Sequence, residues 1–171
     1  LSEAVASSEF VVFKSALEMG GSVRGIVAKG AAATLTRKEI DKLTEHAKGI
    51  GAKGLAYVRW VDEAPNCSFA KFMSEDELNA IYTATGLERG DVLLICADKN
   101  KVVLPTLGAL RQIVARKLDI IPTGVFNFLW ITEFPFFEWN EETEHWDAMH
   151  HPFTMPLEEC LPYLERSEER R

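Results

Sequence analysis

The chain has 171 residues, 47% of them hydrophobic, and a net charge of −7. That length favours one domain, or one plus part of a second, and the apolar content excludes a disordered chain. Residues 1–132 hold 16 Lys and Arg against 15 Asp and Glu, whereas residues 133–171 hold 3 against 11, a distribution that argues against a free-standing nucleic-acid binder.

No apolar run approaches the ~20 residues that span a bilayer, so no membrane partner is expected. No leader-like segment stands before the first polar residues. Cys67, Cys96 and Cys160 are odd in number and widely spaced, the pattern of reduced thiols in a cytoplasmic protein rather than of a disulfide frame or zinc site.

In chain order, "LSEAVASSEF" (1–10) reads as a frayed end or as part of something upstream. The β-branched and aromatic residues of "EFVVFKSAL" (9–17) predict a strand, and Gly20-Gly21 a turn into a second strand over Ser22–Ala28, together a hairpin. The glycines at 20, 21, 25 and 30 lack both the G-x-G-x-x-G spacing and the Lys-Ser/Thr of a phosphate loop, so they read as turn glycines. A helix follows, with Thr36 as N-cap and Glu39 completing a capping box, an apolar stripe of Ile40, Leu43 and Ala47, and a stop at Gly49 or Gly51. Its charges form an ordinary solvated face, on which the i,i+4 pairs Lys38–Lys42 and Asp41–Glu45 are not complementary. Residues 52–61 predict a strand. Ser74 and Glu77 form a second capping box before Leu78, Ile81 and Tyr82, with Gly86 as the stop; "GDVLLICAD" (90–98) is a buried strand. The last helix spans 104–118, with Pro105 in its first turn and Leu107, Leu110, Val114 and Leu118 on one face. This order predicts an α+β fold, a two-layer sandwich whose sheet is covered by helices on one side, complete by about residue 120 and closed by the "IPTG" boundary at 121–124.

Beyond 124 the texture changes. This stretch holds six of the ten Phe, three of the four Trp and four of the seven Pro. Phe126–Thr132 predicts a buried strand, continued by Phe136–Trp139 after a break at Pro135, and "NEETEHW" turns the chain back to a strand at Trp146–Met149. Its aromatic surface exceeds what so small a segment covers alone, which predicts a further partner layer.

The strand ends in "AMHHPFTMP" (148–156). Side chains at successive strand positions diverge, and Pro152 biases His151 towards an extended backbone, so each ring has a defined direction. Thr154 adds a hydroxyl, and Glu133, Glu138 and Glu144 are placed to favour a cationic imidazole that selects an anion. The competing chemistry is a stand-alone metallohydrolase using His145, His150 and His151, but His-x4-His-His is not a recognised ligand spacing. Cys67 beside Ser68 has no His with a matching acid, so a nucleophilic triad is unsupported.

The stretches "FVVFKSALEMGGSVRGIVAKGAAATLTRKEIDKLTEHAKGIGAKGLAYVRW", "AKFMSEDELNAIYTATGLERGDVLLICADKNKVV", "LGALR" and "FLWITEFPFFEW…AMHHPFTMP" closely resemble the middle of bacterial-type aspartyl-tRNA synthetases, over nearly all of residues 8–160. The resemblance implies a GAD insert domain over residues 8–121 and a fragment of the class II catalytic domain, an incomplete antiparallel segment, over 122–171. It implies that the full enzyme activates L-aspartate with ATP and Mg²⁺ and esterifies tRNA-Asp, as a cytoplasmic homodimer. It implies that His150 contacts the substrate aspartate with His151 as its loop neighbour, and that no residue here is itself catalytic and none holds a cofactor or metal. The family's ATP-binding arginine motif, Gly-rich motif, dimer-forming motif and anticodon-binding barrel are not among these residues, so the 171-residue chain is expected to be inactive alone. The alternative is a GAD binding module contacting tRNA or a partner protein, as in the B subunit of the tRNA-dependent amidotransferase; "WITEFPFFEW…HHPFT" is foreign to that subunit.

Overall fold

The computed structural model describes residues 1–132, 135, 137–140, 142–149, 158–159 and 161–162. It divides into two compact units, Leu1–Thr123 and Gly124–Arg171.

The first unit runs α1 (Val11–Glu18), β1 (Ser22–Ala28), α2 (Arg37–Ile50), β2 (Ala56–Arg59), β3 (Asn66–Cys67), a 3-10 turn (Ala70–Phe72), α3 (Glu75–Thr85), β4 (Val92–Asp98) and α4 (Asn100–Lys117). Its antiparallel sheet has the order β1-β4-β2-β3, with Ile26 opposite Leu94 and Val58 opposite Leu93. The central strand β4 is almost continuously buried. Alternation therefore divides its side chains between two cores. Val92, Leu94 and Cys96 join Ile40, Leu43 and Ala47 of α2 and Val103, Leu107, Leu110 and Val114 of α4. Leu93 and Ile95 join Phe13 of α1, Ile81 of α3, Phe69 and Val5.

The expected helix-covered sheet is present as an α+β sandwich. Its cover is not confined to one side, however: α2 and α4 take one face, α1 and α3 the other. The reason is that β4 is apolar on both faces, and a one-sided cover would leave Leu93 and Ile95 in water.

Five local expectations are corrected. Residues 11–18 form a helix, not a strand: Phe13 and Ala16 are buried three residues apart while Val11 and Val12 face outward. No hairpin forms with β1, whose partner is β4, 70 residues on in the register Ala28–Val92 to Ser22–Asp98. Thr36 is the N-cap of α2 but makes no side-chain cap bond, and the capping box is not formed: the Glu39 carboxylate is held by Lys42 and by Lys117 of α4. Pro105 lies inside α4 rather than in its first turn, since the helix already begins at Asn100. The opening segment is not frayed either: Val5 is buried, and Ser2 Oγ accepts from the Val23 N–H at 3.0 Å.

Other expectations match. Ile40, Leu43 and Ala47 are buried, Gly51 caps α2 at φ 115°, and the Ser74–Glu77 capping box opens α3, which ends at Gly86 at φ 58°. On α2 the complementary pairs fall at i,i+3, Glu39–Lys42 and Glu45–Lys48, each 2.8 Å.

In the second unit β5 (Phe137–Asn140) and β6 (His145–Ala148) form an antiparallel hairpin. The predicted buried strand at 126–132 is absent. That stretch has no regular structure, and Phe128 and Trp130 are each 94% exposed. Among the described residues no strand pairs with it to satisfy its backbone, so β-propensity alone does not make it one.

Candidate functional site

The candidate site is approached through the β5–β6 hairpin, whose last described residue before the histidine pair is Met149. The cross-strand pair Trp139–Trp146 meets edge to face, ring centroids 5.5 Å apart at 70°, and clamps the register. Asn140 closes the turn with its side chain: Oδ1 accepts from the Glu142 N–H at 2.9 Å and the Thr143 N–H at 3.2 Å, while Nδ2 donates to Asp147 at 2.8 Å. Glu144 completes the turn at φ 51°, in the left-handed region. The sequence "NEET" thus provides the reversal that sends β6 towards the His-His-Pro stretch.

His150 and His151, the predicted aspartate-binding residue and its neighbour, lie outside the described residues, as do Glu133 and Thr154. Glu138 and Glu144 are described and exposed on the hairpin, and His145 pairs with Asn140 in the register. Among the described residues no group of three or more His, Cys, Asp or Glu is placed to hold a metal ion. Of the metallohydrolase set only His145 is among the described residues.

The first unit offers no nucleophile in its described thiols. Burial pushes both Cys67 and Cys96 up to about 11, against weaker backbone hydrogen bonds that lower them, so both are neutral thiols at physiological pH. Cys160 lies outside the described residues.

Sequence reasoning passed over one feature of this unit. A groove of about 320 Å³ lies between α1 and the start of β2, lined by apolar side chains that include Phe10, Val12, Phe69 and Ile95, with Lys53 as its single charged lining residue. The adjacent Val11-Val12 pair was the available signal: two β-branched apolar residues left facing outward once Phe13 and Ala16 define the buried side of the helix.

Comparison with known proteins gives a consistent picture. The GAD domain family matches residues 13–107. An "Aspartate--tRNA ligase" of Agathobacter rectalis is 53% identical over 160 residues, 93% of this chain and 27% of that protein. An "Aspartate--tRNA(Asp/Asn) ligase" of Lachnoclostridium phytofermentans is 51% identical over 166 residues, 96% of this chain. An "Aspartate--tRNA ligase" of Ruminiclostridium cellulolyticum is likewise 51% identical over 166 residues. The chain spans 28% of the length of each of the last two.

Proposed function

The chain belongs to the GAD domain family, and from that premise we propose that it serves as the GAD insert and adjoining catalytic-domain segment of an aspartate–tRNA ligase. The observation that carries this reading is the extent of the similarity. The family match ends at residue 107, yet identity near 50% covers 96% of the chain, and so takes in the aromatic segment and the histidine pair. A GAD binding module alone accounts for the first unit only.

In this reading the complete enzyme activates L-aspartate with ATP and Mg²⁺ and transfers it to tRNA-Asp, as a cytoplasmic homodimer. Residues 8–121 are the insert and 122–171 belong to the class II core. His150 presents its ring to the substrate carboxylate, with His151 beside it, and the chemistry itself rests on positioning and charge stabilisation by groups elsewhere in that core. Relatives named "Aspartate--tRNA(Asp/Asn) ligase" and "Aspartate--tRNA ligase" are equally similar to the chain, at 51%. The insert is read as a shield for the active-site entrance or a contact to the tRNA acceptor region.

The test replaces the matching segment of a full-length relative by these 171 residues. The chimera should aspartylate tRNA-Asp, and His150→Ala within it should raise KM for aspartate more than KM for ATP. The isolated chain should show no aspartate-dependent pyrophosphate exchange. Exchange by the isolated chain, or an inactive but folded chimera, overturns the reading.

A further inference from the structure

We propose that the groove between α1 and the start of β2 docks an extended segment of another protein, one that presents an apolar side chain next to a carboxylate. The inference rests on the geometry of the first unit and does not depend on the reading above. Three separate features choose this occupant.

The first is an open strand edge. β3 pairs with β2 only at Val58–Cys67 and Arg59–Asn66. The ladder is closed by Ser68, which accepts the Tyr57 N–H on its hydroxyl at 2.9 Å and donates its own N–H to the Tyr57 carbonyl at 2.9 Å. Backbone groups of successive strand residues point to opposite neighbours. Continued one residue beyond β2, this alternation would turn the N–H and C=O of Leu55, two residues before Tyr57, to this same side, past the end of β3. An extended peptide laid there satisfies them by adding a strand.

The second is the apolar floor. Phe10, Phe13, Phe69, Ile95 and Ala97 line the groove. Val12 of the lining is 49% exposed, and the apolar surface continues outside the groove to Phe72, 61% exposed, which stacks on Phe10 with ring centroids 5.1 Å apart. Exposed apolar surface continuous with a groove marks a docking site rather than a solvated face.

The third is charge. Lys53, the one charged residue of the lining, has a side chain 73% exposed, and its ammonium forms a long ion pair with Asp98 at 3.9 Å, without a hydrogen bond, on its inner side. An ammonium at the rim selects a carboxylate beside the apolar anchor, which disfavours the phosphates of RNA, whose binding calls for several cations rather than one.

The test titrates the blocked pentapeptide acetyl-Thr-Phe-Thr-Asp-Thr-amide into the ¹⁵N-labelled full chain. Amide shifts should centre on Leu55, Val12 and Phe72, and the Leu55 N–H should gain protection from hydrogen exchange. Replacing Phe by Ser in the probe should abolish binding. Lys53→Glu should reverse the preference between Asp and Lys versions of the probe, each step changing affinity by about fivefold or less, the scale of an exposed ion pair. Val12→Glu, a half-exposed position whose change leaves the fold intact, should abolish it too. Equal binding of the Ser probe, indifference to Lys53→Glu, no shift at millimolar peptide, or concentration-dependent self-association through the same amides overturns the proposal.

Discussion

Single side chains hold the first unit together at points where the backbone would otherwise come apart. Asp91, 3% exposed, accepts from the Gly30 N–H at 2.9 Å and the Glu88 N–H at 3.0 Å, and pairs with Lys29 at 2.9 Å. It thereby ties the turn after β1 to the loop before β4. Burial alone would raise its pKa, but the Lys29 ammonium and the two N–H groups outweigh it and leave the carboxyl below its ordinary value. Lys117 first, then Lys42, hold Glu39 down at about 2. Both folded-state values are depressed, so both groups stabilise above the ordinary carboxylate range near pH 4, and that contribution drains away as pH falls through each folded-state value, which for Glu39 is about 2. Asp91→Asn leaves the Gly30 and Glu88 N–H groups poorly matched; it should cost about 1–3 kcal/mol in urea melts at pH 7 and flatten the loss of stability as pH falls below the ordinary carboxylate range. Gly21 is a second such point. A Cβ there would lie 2.2 Å from the Asp98 carbonyl oxygen and 2.8 Å from that of Ala16. Gly21→Ala should therefore destabilise by about 1–3 kcal/mol or more, read by the same melts, while Gly20→Ala, in open space at φ 71°, suffers only backbone strain.

At the level of elements, two helix starts that look alike in sequence are physically different. Ser74 accepts from the Glu77 N–H, and the Glu77 carboxylate accepts from the Ser74 N–H at 2.8 Å. Thr36 and Glu39 have the same spacing, but Glu39 is drawn away to Lys117 on another helix. Ser74→Ala should cost about 1 kcal/mol and Thr36→Ala a few tenths at most, measured side by side by thermal melts. The same competition explains which parts of the fold were legible in the sequence. Stripes such as Ile40, Leu43 and Ala47, and the unbroken apolar run of β4, declare themselves because one element both forms and buries them. α1 does not: Val11, Val12 and Phe13 favour a strand locally, and only contact with Phe69 and β4 turns the segment helical. The β1 partner was illegible for a related reason, since its register depends on a strand that starts 70 residues after the start of β1 rather than on a turn. In the candidate site the hairpin could be read from "NEET" between aromatic runs, because turn and strands are contiguous. The groove at β2 could not, because it is made by β3 stopping short and by α1 crossing from elsewhere.

On the scale of the whole chain, the two units differ in how completely they bury themselves. Among the described residues, every member of both hydrophobic cores lies between Leu1 and Leu118. The second unit keeps Phe126, Phe128, Leu129, Trp130 and Ile131 at the surface, each at least 70% exposed, beside a hairpin of four residues per strand. A two-stranded hairpin is marginal by itself, and an aromatic run of that size in water is an aggregation hazard unless a further layer covers it. Truncation separates these properties. Residues 1–123 alone should fold with one cooperative transition at the midpoint of the intact chain, because no core residue is lost. Residues 1–171 should bind an apolar dye and self-associate with rising concentration, and the truncated form should do neither. Substituting Phe128 and Trp130 by Ser in the intact chain should suppress dye binding without moving the main transition, since neither side chain is packed. If truncation instead lowers the midpoint, residues beyond 123 contribute to the first core; if the double substitution leaves dye binding unchanged, the exposed surface lies elsewhere. Grafting the chain into the matching segment of a relative should remove the dye binding as well, because in the proposed enzyme that aromatic run is covered by the rest of the catalytic domain.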